Sequence, residues 1–308
     1  MKTKLLITFF LLLTRTGLAQ KRQIYQYADE VLVKYQLEIH PVHAPKGWLL
    51  LLPGFGETPE SVLRESDIPV VAAQNGVLVI IPFLNASPPS FYIDELSQKA
   101  LESIVNKTSE RLKLNNVPFF LGGFSLGGSG AIRLAKRLVE QNIHIPKAIF
   151  GIDPPLDFAR FYQSIERTIW LSQSAIASEE AKYLVERLKT EFEGTPEGNP
   201  QKYRDLSCFS YQSKDLHQLD WLKKIPLRLY TEVAIEWQMQ ERNRDLYDIN
   251  AIDCVAMINT LKIVGATQSE LIVTKDQGWR RQQKMRNPHS WSICEPRALV
   301  KWLLKLTL

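Results

Sequence analysis

The sequence predicts an α/β protein with a mainly parallel, doubly wound sheet. Short apolar runs of strand length alternate with longer segments of helical periodicity, and this alternation is typical of right-handed βαβ crossovers. Two of the runs, GWLLLLP (47–53) and VLVIIPF (77–83), are apolar throughout, as expected for strands that helices cover on both faces. The 308 residues contain no internal repeat and no low-complexity linker, which favours one large domain.

In the first half of the chain, helical segments separate the predicted strands. The segment from Asp94 to Leu112 has a long helical period, and Glu57 or Thr58 can cap the helix that starts at Pro59. The strands are predicted at Leu32–His40, Gly47–Pro53, Val77–Phe83 and Val117–Leu121, and the helices over residues 59–73, 94–112 and 131–141.

The second half continues the alternation but contains one long interruption. Strands are predicted at Lys147–Ile152, Pro226–Thr231 and Glu270–Thr274, and helices at Ile249–Val264 and Glu295–Leu306. The segment over about 156–224 is mostly helical and polar, and it is too long for a plain connection. We interpret it as a helical insert that covers the carboxyl ends of the strands, where ligands bind in open α/β sheets.

Residues 1–19 have the three parts of a secretory signal. Lys2 and Lys4 form the charged start, Leu5–Leu13 the apolar stretch, and Gly17-Leu18-Ala19 the small-residue cleavage site. The apolar stretch is well short of the ~20 residues that span a bilayer as a helix. We therefore expect export to the periplasm or the extracellular space, with Gln20 as the new N-terminus and no integral membrane segment after the signal is removed.

Charge and cysteine content exclude several classes of function. The predicted signal holds three of the 38 basic residues and no acidic one, which leaves 35 basic against 33 acidic groups and no basic block typical of nucleic-acid binding. Cys208, Cys254 and Cys294 are too few for a disulfide framework. Their spacing matches no zinc site. We expect core thiols, no metal and no cofactor.

The segment VPFFLGGFSLGGSG (117–130) carries the main chemical signal of the sequence. A β-branched and aromatic run leads into Gly123-Phe124-Ser125-Leu126-Gly127, and a helical pattern follows. This is the G-x-S-x-G pattern on a strand–turn–helix, a turn so tight that only glycine fits on either side of the serine. The helix that begins behind Ser125 points its amides at the same place, which stabilises negative charge there.

A serine hydroxyl is a weak nucleophile unless a neighbouring base takes its proton. The five histidines are His40, His43, His144, His217 and His289. His289, in the segment NPHSW, follows the last predicted strand and precedes the last helix. It is the candidate base, and structural or surface positions are expected for the other four.

These segments resemble the α/β-hydrolase superfamily, specifically its exported, bacterial, esterase-like serine hydrolases. The LLPGFGE loop, the GFSLGG elbow and the late NPHSW segment carry the resemblance, which covers most of the chain after the signal. It implies an α/β-hydrolase fold for residues 20–308, with the insert as a helical cap after the sixth strand. It also implies Ser125 as nucleophile, His289 as base, and the amides of Phe55 and Leu126 as the oxyanion hole.

The resemblance is weakest at the third member of a triad. The superfamily usually places an Asp or Glu a few residues past the strand that ends at Thr231, whereas Ala234 stands where related sequences have Asp. Glu236 is the preferred substitute, narrowly ahead of Glu232. Asp153, at the end of the preceding strand, is a third candidate.

The resemblance therefore predicts a secreted carboxylic-ester hydrolase that forms an acyl-enzyme through a Ser-His(-Glu) triad and acts on a small-molecule ester. Two alternatives stay open. A hydrolase-fold binding protein that lacks the triad acid would follow from Ala234, because loss of the acid lowers turnover by about 10⁴ in studied triads. A serine peptidase would use the same residues. The sequence does not specify the acyl group, the alcohol or the oligomeric state.

Overall fold

A computed structural model describes residues 20–27, 32–84 and 90–307. Within these residues, eight strands form one sheet in the order β1-β2-β4-β3-β5-β6-β7-β8. All neighbours from β4 to β8 pair in parallel, while β2 runs antiparallel to both β1 and β4. The strands are β1 Lys21–Tyr25, β2 Val33–His40, β3 Gly47–Leu52, β4 Val77–Leu84, β5 Phe119–Phe124, β6 Ala148–Ile152, β7 Leu227–Thr231 and β8 Ser269–Val273.

Helices cover both faces of this sheet, so the predicted mainly parallel, doubly wound architecture is confirmed. One core lies under α3, α4 and α9, and the other under α1, α2 and α10. The helices are α1 Pro59–Glu65, α2 Ile68–Gln74, α3 Glu95–Arg111, α4 Leu126–Glu140, α5 Phe158–Leu171, α6 Ala175–Glu191, α7 Pro200–Leu206, α8 Ile235–Arg242, α9 Ala251–Ile263 and α10 Pro296–Lys305.

The long segment between β6 and β7 contains α5, α6, α7 and a 3₁₀ helix, Leu216–Leu222. Asp157 caps α5 by accepting hydrogen bonds from the amides of Ala159 and Arg160 at 2.9 and 3.2 Å. Apolar side chains of these helices form a third core cluster, which also includes Leu126 at the start of α4. The segment is therefore helical and contacts the residue after Ser125, while its role as a cap stays a prediction.

Several elements differ from the sequence-based expectations. The helix predicted over 59–73 is two helices, α1 and α2, because Ser66 and Asp67 break the helical path. The antiparallel edge strand β1 was not predicted, and neither was the hairpin of β9 Trp279–Arg280 and β10 Met285–Arg286. Such short strands carry too little hydrophobic periodicity to be recognised.

The three cysteines are unpaired, as expected for core thiols: Cys254 and Cys294 are buried and Cys208 is partly buried. Burial raises the pKa of the Cys208 thiol to about 12. In the described ranges, no helix is long and apolar enough to cross a membrane, and no group of His, Cys, Asp and Glu side chains is arranged to hold a metal ion. The predicted signal, residues 1–19, lies outside the described residues.

Candidate active site

Ser125 lies on the turn between β5 and α4, with a φ of 53°. This left-handed conformation is strained for a residue with a side chain. A Cβ at Gly123 would lie 2.5 Å from the backbone of Gly127, and a Cβ at Gly127 would lie 2.2 Å from the carbonyl oxygen of Pro53. Both glycines are therefore needed where β5, α4 and the end of β3 meet, and the turn exposes the serine at the carboxyl edge of the sheet.

His289 faces this serine, as the sequence predicts. Its Nε2 lies 3.0 Å from Ser125 Oγ. The loop between β8 and α10 presents the ring, and the His289 amide donates to Asn287 Oδ1 at 3.0 Å. The ring packs against Phe124, with the two centroids 4.6 Å apart. These contacts fix the direction in which the imidazole points.

The carboxylate at the histidine belongs to Asp153. Its Oδ2 lies 2.6 Å from His289 Nδ1, and its Oδ1 accepts a hydrogen bond from Thr231 Oγ1 at 2.6 Å. Because a carboxylate only accepts, Nδ1 carries the proton, and Nε2 remains an acceptor for the Ser125 hydroxyl. The three side chains thus form one directed chain of hydrogen bonds.

Asp153 reaches this position because it follows β6 directly. Its amide donates to the carbonyl of Tyr230 on β7 at 2.8 Å, and its φ of 47° turns the backbone out of the strand. Asp tolerates this left-handed conformation better than most residues. The residue is 6% exposed.

The preference for Glu236 and Glu232 as the carboxylate at His289 is wrong on this geometry. Glu236 is exposed on the first turn of α8. Glu232 is buried, but it accepts hydrogen bonds from the amides of Gln277 and Gly278 at 2.8 and 3.1 Å and pairs with Arg286. It therefore holds the loop that leads to His289 and does not contact the ring.

Phe55 and Leu126, whose amides are assigned to the oxyanion hole, both line the cavity beside Ser125. Within the described residues, neither the Phe55 amide nor the Leu126 amide donates a hydrogen bond to the protein. Leu126 is the first residue of α4, where helix amides are left without intrahelical partners. Phe55 follows β3, whose Leu52 pairs in register with Gly123 of β5. Both donors are thus free at the edge where Ser125 stands.

Glu57 stabilises the turn that carries Phe55. Its carboxylate accepts hydrogen bonds from the Gly54 amide at 2.8 Å and from Trp291 Nε1 at 3.0 Å. Trp291 follows His289 closely in the chain, so Glu57 joins the turn after β3 to the loop that presents the histidine.

Comparison with known proteins agrees with this geometry at the level of fold. No protein-family model matches the sequence, and no curated protein is significantly similar to it. The structure is similar to carboxyl esterase 2 from the mycorrhizal fungus Tuber melanosporum, with a TM-score of 0.57 and 13% identity over 95% of this chain and 88% of that one. It is also similar to a soluble variant of the monoglyceride lipase of Saccharomyces cerevisiae, with a TM-score of 0.54 and 14% identity over 94% and 96%. The chain has the α/β-hydrolase fold.

A third solved structure with a similar fold belongs to a longer protein. The acylaminoacyl peptidase of Pyrococcus horikoshii matches with a TM-score of 0.52 and 14% identity over 92% of this chain. The match covers 40% of the peptidase chain, so this protein spans about two fifths of that length.

A cavity of about 320 Å³ opens onto Ser125 in this α/β-hydrolase fold. Its volume is at the lower end of the range for small-molecule sites. Apolar side chains from α5 and α6, among them Phe161, Ile165 and Leu184, form part of its wall. The segment after β7 supplies a more polar wall that includes Trp237, Arg242 and Arg244.

The sequence did carry a signal for Asp153. It stands directly after the strand next to the elbow strand, and two prolines follow it. Its amide and the Ser125 amide both bond to the ends of neighbouring strands, at 2.8 and 2.9 Å. A carboxylate that begins the loop after an adjacent parallel strand is therefore close to the serine by topology alone.

Proposed function

We propose that this protein is a serine hydrolase that cleaves a carboxylic ester through an acyl-enzyme. Ser125 is the nucleophile, His289 the general base and acid, and Asp153 the carboxylate of the triad. The observation that carries this proposal is the continuous hydrogen-bonded chain from Ser125 Oγ through His289 to Asp153, with distances of 3.0 and 2.6 Å, at the mouth of a cavity.

In this mechanism, Ser125 Oγ attacks the ester carbonyl carbon while His289 Nε2 takes its proton. Asp153 holds the imidazole in the required tautomer and stabilises the imidazolium that forms. The amides of Phe55 and Leu126 donate to the oxyanion, and loss of one such donor typically costs about 3–4 kcal/mol of transition-state stabilisation. His289 then protonates the alcohol as it leaves, and a water molecule, activated by the same imidazole, releases the acid.

The alternative of a catalytically impaired binding protein loses its motive, since it depends on a triad without an acid. Asp153 provides a carboxylate at His289 Nδ1, so a triad does not require an acid at position 234. A peptidase would use the same three residues, and the choice between ester and amide bonds is a matter for assay.

The direct test is labelling with a fluorophosphonate, which reacts with an activated serine. We expect one label at Ser125, hydrolysis of short p-nitrophenyl esters, and loss of both in Ser125→Ala and His289→Ala. Ser213→Ala is the matched control, because Ser213 lies, partly buried, in the loop before the 3₁₀ helix Leu216–Leu222 and does not line the cavity. A wild-type protein that is folded but neither labelled nor active on any ester would refute the proposal. Activity on peptides with none on esters would favour the peptidase.

We also propose that the protein is exported. Support comes from the charged, apolar and small-residue parts of residues 1–19. Expression of the full chain with N-terminal sequencing of the product tests this proposal, and the expected first residue is Gln20. An intact Met1 on active protein that remains in the cytosol would contradict it.

A further inference from the structure

Arg244 is a cation in the cavity that forms no ion pair with any of the described residues. It follows α8 and lines the same cavity as Ser125. Within the described part of the chain its side chain makes one hydrogen bond, from Nη2 to Thr168 Oγ1 at 3.3 Å, and its Nε is buried without a partner. Neighbouring arginines differ from it, because Arg160 pairs with Asp253 and Arg167 with Asp248.

Four of the five carboxylates that line the cavity contact other groups. Those that contact another group are Asp153 with His289, Glu232 with Arg286, Asp248 with Arg167, and Glu57 with Trp291 and Gly54. Glu180, exposed on α6, also lines the cavity, but it forms no ion pair with Arg244 among the described residues. Among the described residues, no carboxylate therefore forms an ion pair with Arg244, although the charges of Asp248 and Glu180 act on it from beyond contact distance.

A second cation, Arg242, adds to the positive charge in the cavity. Burial lowers the pKa of the Arg244 guanidinium, and the nearby charge of Arg242 lowers it further, although arginine stays protonated in proteins. Arg242 also lines the cavity, and its guanidinium lies 5.4 Å from the Trp237 ring centroid. A partly buried cation of this kind gains a charge-assisted, bidentate bond when an anion arrives.

Helix α5 shows how far this charge lies from the serine. The helix starts beside the site, because Phe158 packs in the same cluster as Leu126. Phe161 and Thr168 both line the cavity, and the offset of seven positions between them corresponds to about 10 Å of helical rise. Arg244 contacts the Thr168 end. The cavity therefore runs along α5 from the serine towards a positive charge.

We propose that Arg244 binds an anionic group, such as a carboxylate, carried at the far end of an ester whose carbonyl lies at Ser125. This proposal rests on the proposed hydrolase function and names its substrate class. The neutral part of such an ester would pass the apolar wall of α5 and α6, and the charged end would pair with Arg244.

The test compares matched esters on the wild-type protein. One pair is the p-nitrophenyl half-ester of sebacic acid and its neutral ω-amide, in which the charge is on the acyl chain. A second pair carries a carboxylate or its amide at the far end of the alcohol. We expect kcat/KM for the charged member of one pair to exceed that of its neutral partner by about tenfold or more, since a hydrogen bond to a charged group typically contributes that much.

Variants then connect this preference to the residue. Arg244→Gln should reduce the charged-to-neutral ratio of kcat/KM by about tenfold or more, mainly through KM, and Arg244→Lys should retain much of it. Arg281→Gln is the matched control, because Arg281 pairs with Asp67 outside the cavity, and the ratio should not change. If Arg244→Gln does not fold, as judged by thermal melting, the comparison of charged with neutral esters on the wild-type protein still tests whether the cavity prefers an anionic substrate.

The outcomes separate the two proposals. Hydrolysis of both members of each pair at equal rates overturns the role of Arg244 and leaves the hydrolase intact. A wild-type charge preference that persists in folded Arg244→Gln also overturns it. No hydrolysis of any ester, together with no fluorophosphonate label at Ser125, refutes the hydrolase itself.

Discussion

Asp153→Asn is the substitution that tests the assignment of the triad acid most directly. The amide has nearly the same shape as the carboxylate, and its oxygen can still accept the Thr231 hydroxyl, which donates to Asp153 Oδ1 at 2.6 Å. The amide nitrogen then takes the place of Oδ2, 2.6 Å from His289 Nδ1. Because that nitrogen must donate, Nδ1 becomes the acceptor and the ring proton moves to Nε2.

The expected loss follows from this change of tautomer. A protonated Nε2 no longer accepts the Ser125 proton across its 3.0 Å contact, and the imidazolium loses its counter-charge. The equivalent change in a studied triad lowers kcat by about 10⁴, which is roughly 5 kcal/mol of activation free energy at about 1.36 kcal/mol for each tenfold change. Asp153 is only 6% exposed, so bulk water does not replace the missing charge.

The assay is kcat for a neutral p-nitrophenyl ester, with thermal melting as the check on folding. Glu236→Gln is the matched control, because Glu236 is exposed on α8, and it should keep close to wild-type turnover. Glu232→Gln is the informative comparison. If Asp153→Asn kept a tenth or more of the wild-type kcat while Glu232→Gln lost about 10⁴, the reasoning from hydrogen-bond geometry would be refuted.

Three further predictions concern stability, each measured by thermal or denaturant unfolding. Gly123→Ala should destabilise by about 1–3 kcal/mol or prevent folding, since its Cβ would lie 2.5 Å from backbone atoms of α4. Asp253→Ala should cost about 3–5 kcal/mol, because it leaves the buried charge of Arg160 unpaired. Burial by itself raises the pKa of Glu38, but hydrogen bonds, the largest from His40, outweigh burial and leave the pKa lowered. A carboxyl group whose pKa is lower in the folded than in the unfolded protein stabilises the folded state at pH values above its unfolded pKa. The contribution of Glu38 should therefore disappear as the pH falls below about 4.

Each stability prediction has a contrary outcome. A Gly123→Ala protein that melts like the wild type would show that the elbow has more room than its backbone distances indicate. Asp276→Ala is the control for Asp253→Ala, since Asp276 is exposed. An equal loss of stability in the two variants would show that the burial of Asp253 is not the cause of its effect. For Glu38, a Glu38→Gln protein should lose less stability than the wild type between pH 5 and 3. Parallel curves of unfolding free energy against pH for the two proteins would contradict the assigned contribution of the Glu38 carboxylate.

Hydrophobic pattern was sufficient to predict the central sheet. β3 and β4 are apolar at nearly every position and buried at all positions but Phe83, and a run of that kind fits few other structures. The edges were harder to predict. β1 has the exposure pattern of a surface strand, and its pairing with β2 depends on contacts that no local pattern encodes.

The candidate site, like the sheet, was predictable only in part from the sequence. Ser125 was predictable because the two flanking glycines are required by backbone distances, and His289 because the loop between the last strand and the last helix ends at the same edge of the sheet. The acid was not predictable by position alone. β6 and β7 are parallel neighbours, so Asp153 and Glu232 both leave the sheet at the same edge, and only the direction of each side chain distinguishes them.

Hydrogen-bond donors decide those directions. Glu232 has the longer side chain and meets the amides of Gln277 and Gly278 and the guanidinium of Arg286, which together satisfy its charge away from the histidine. Asp153 meets one hydroxyl, Thr231 Oγ1, and its second oxygen remains free for the imidazole. The two carboxylates at this edge therefore have separate tasks: one holds the loop that carries the histidine, and the other contacts its ring. In this fold, the carboxylate with fewer backbone amide donors of its own is the one left free to orient the base.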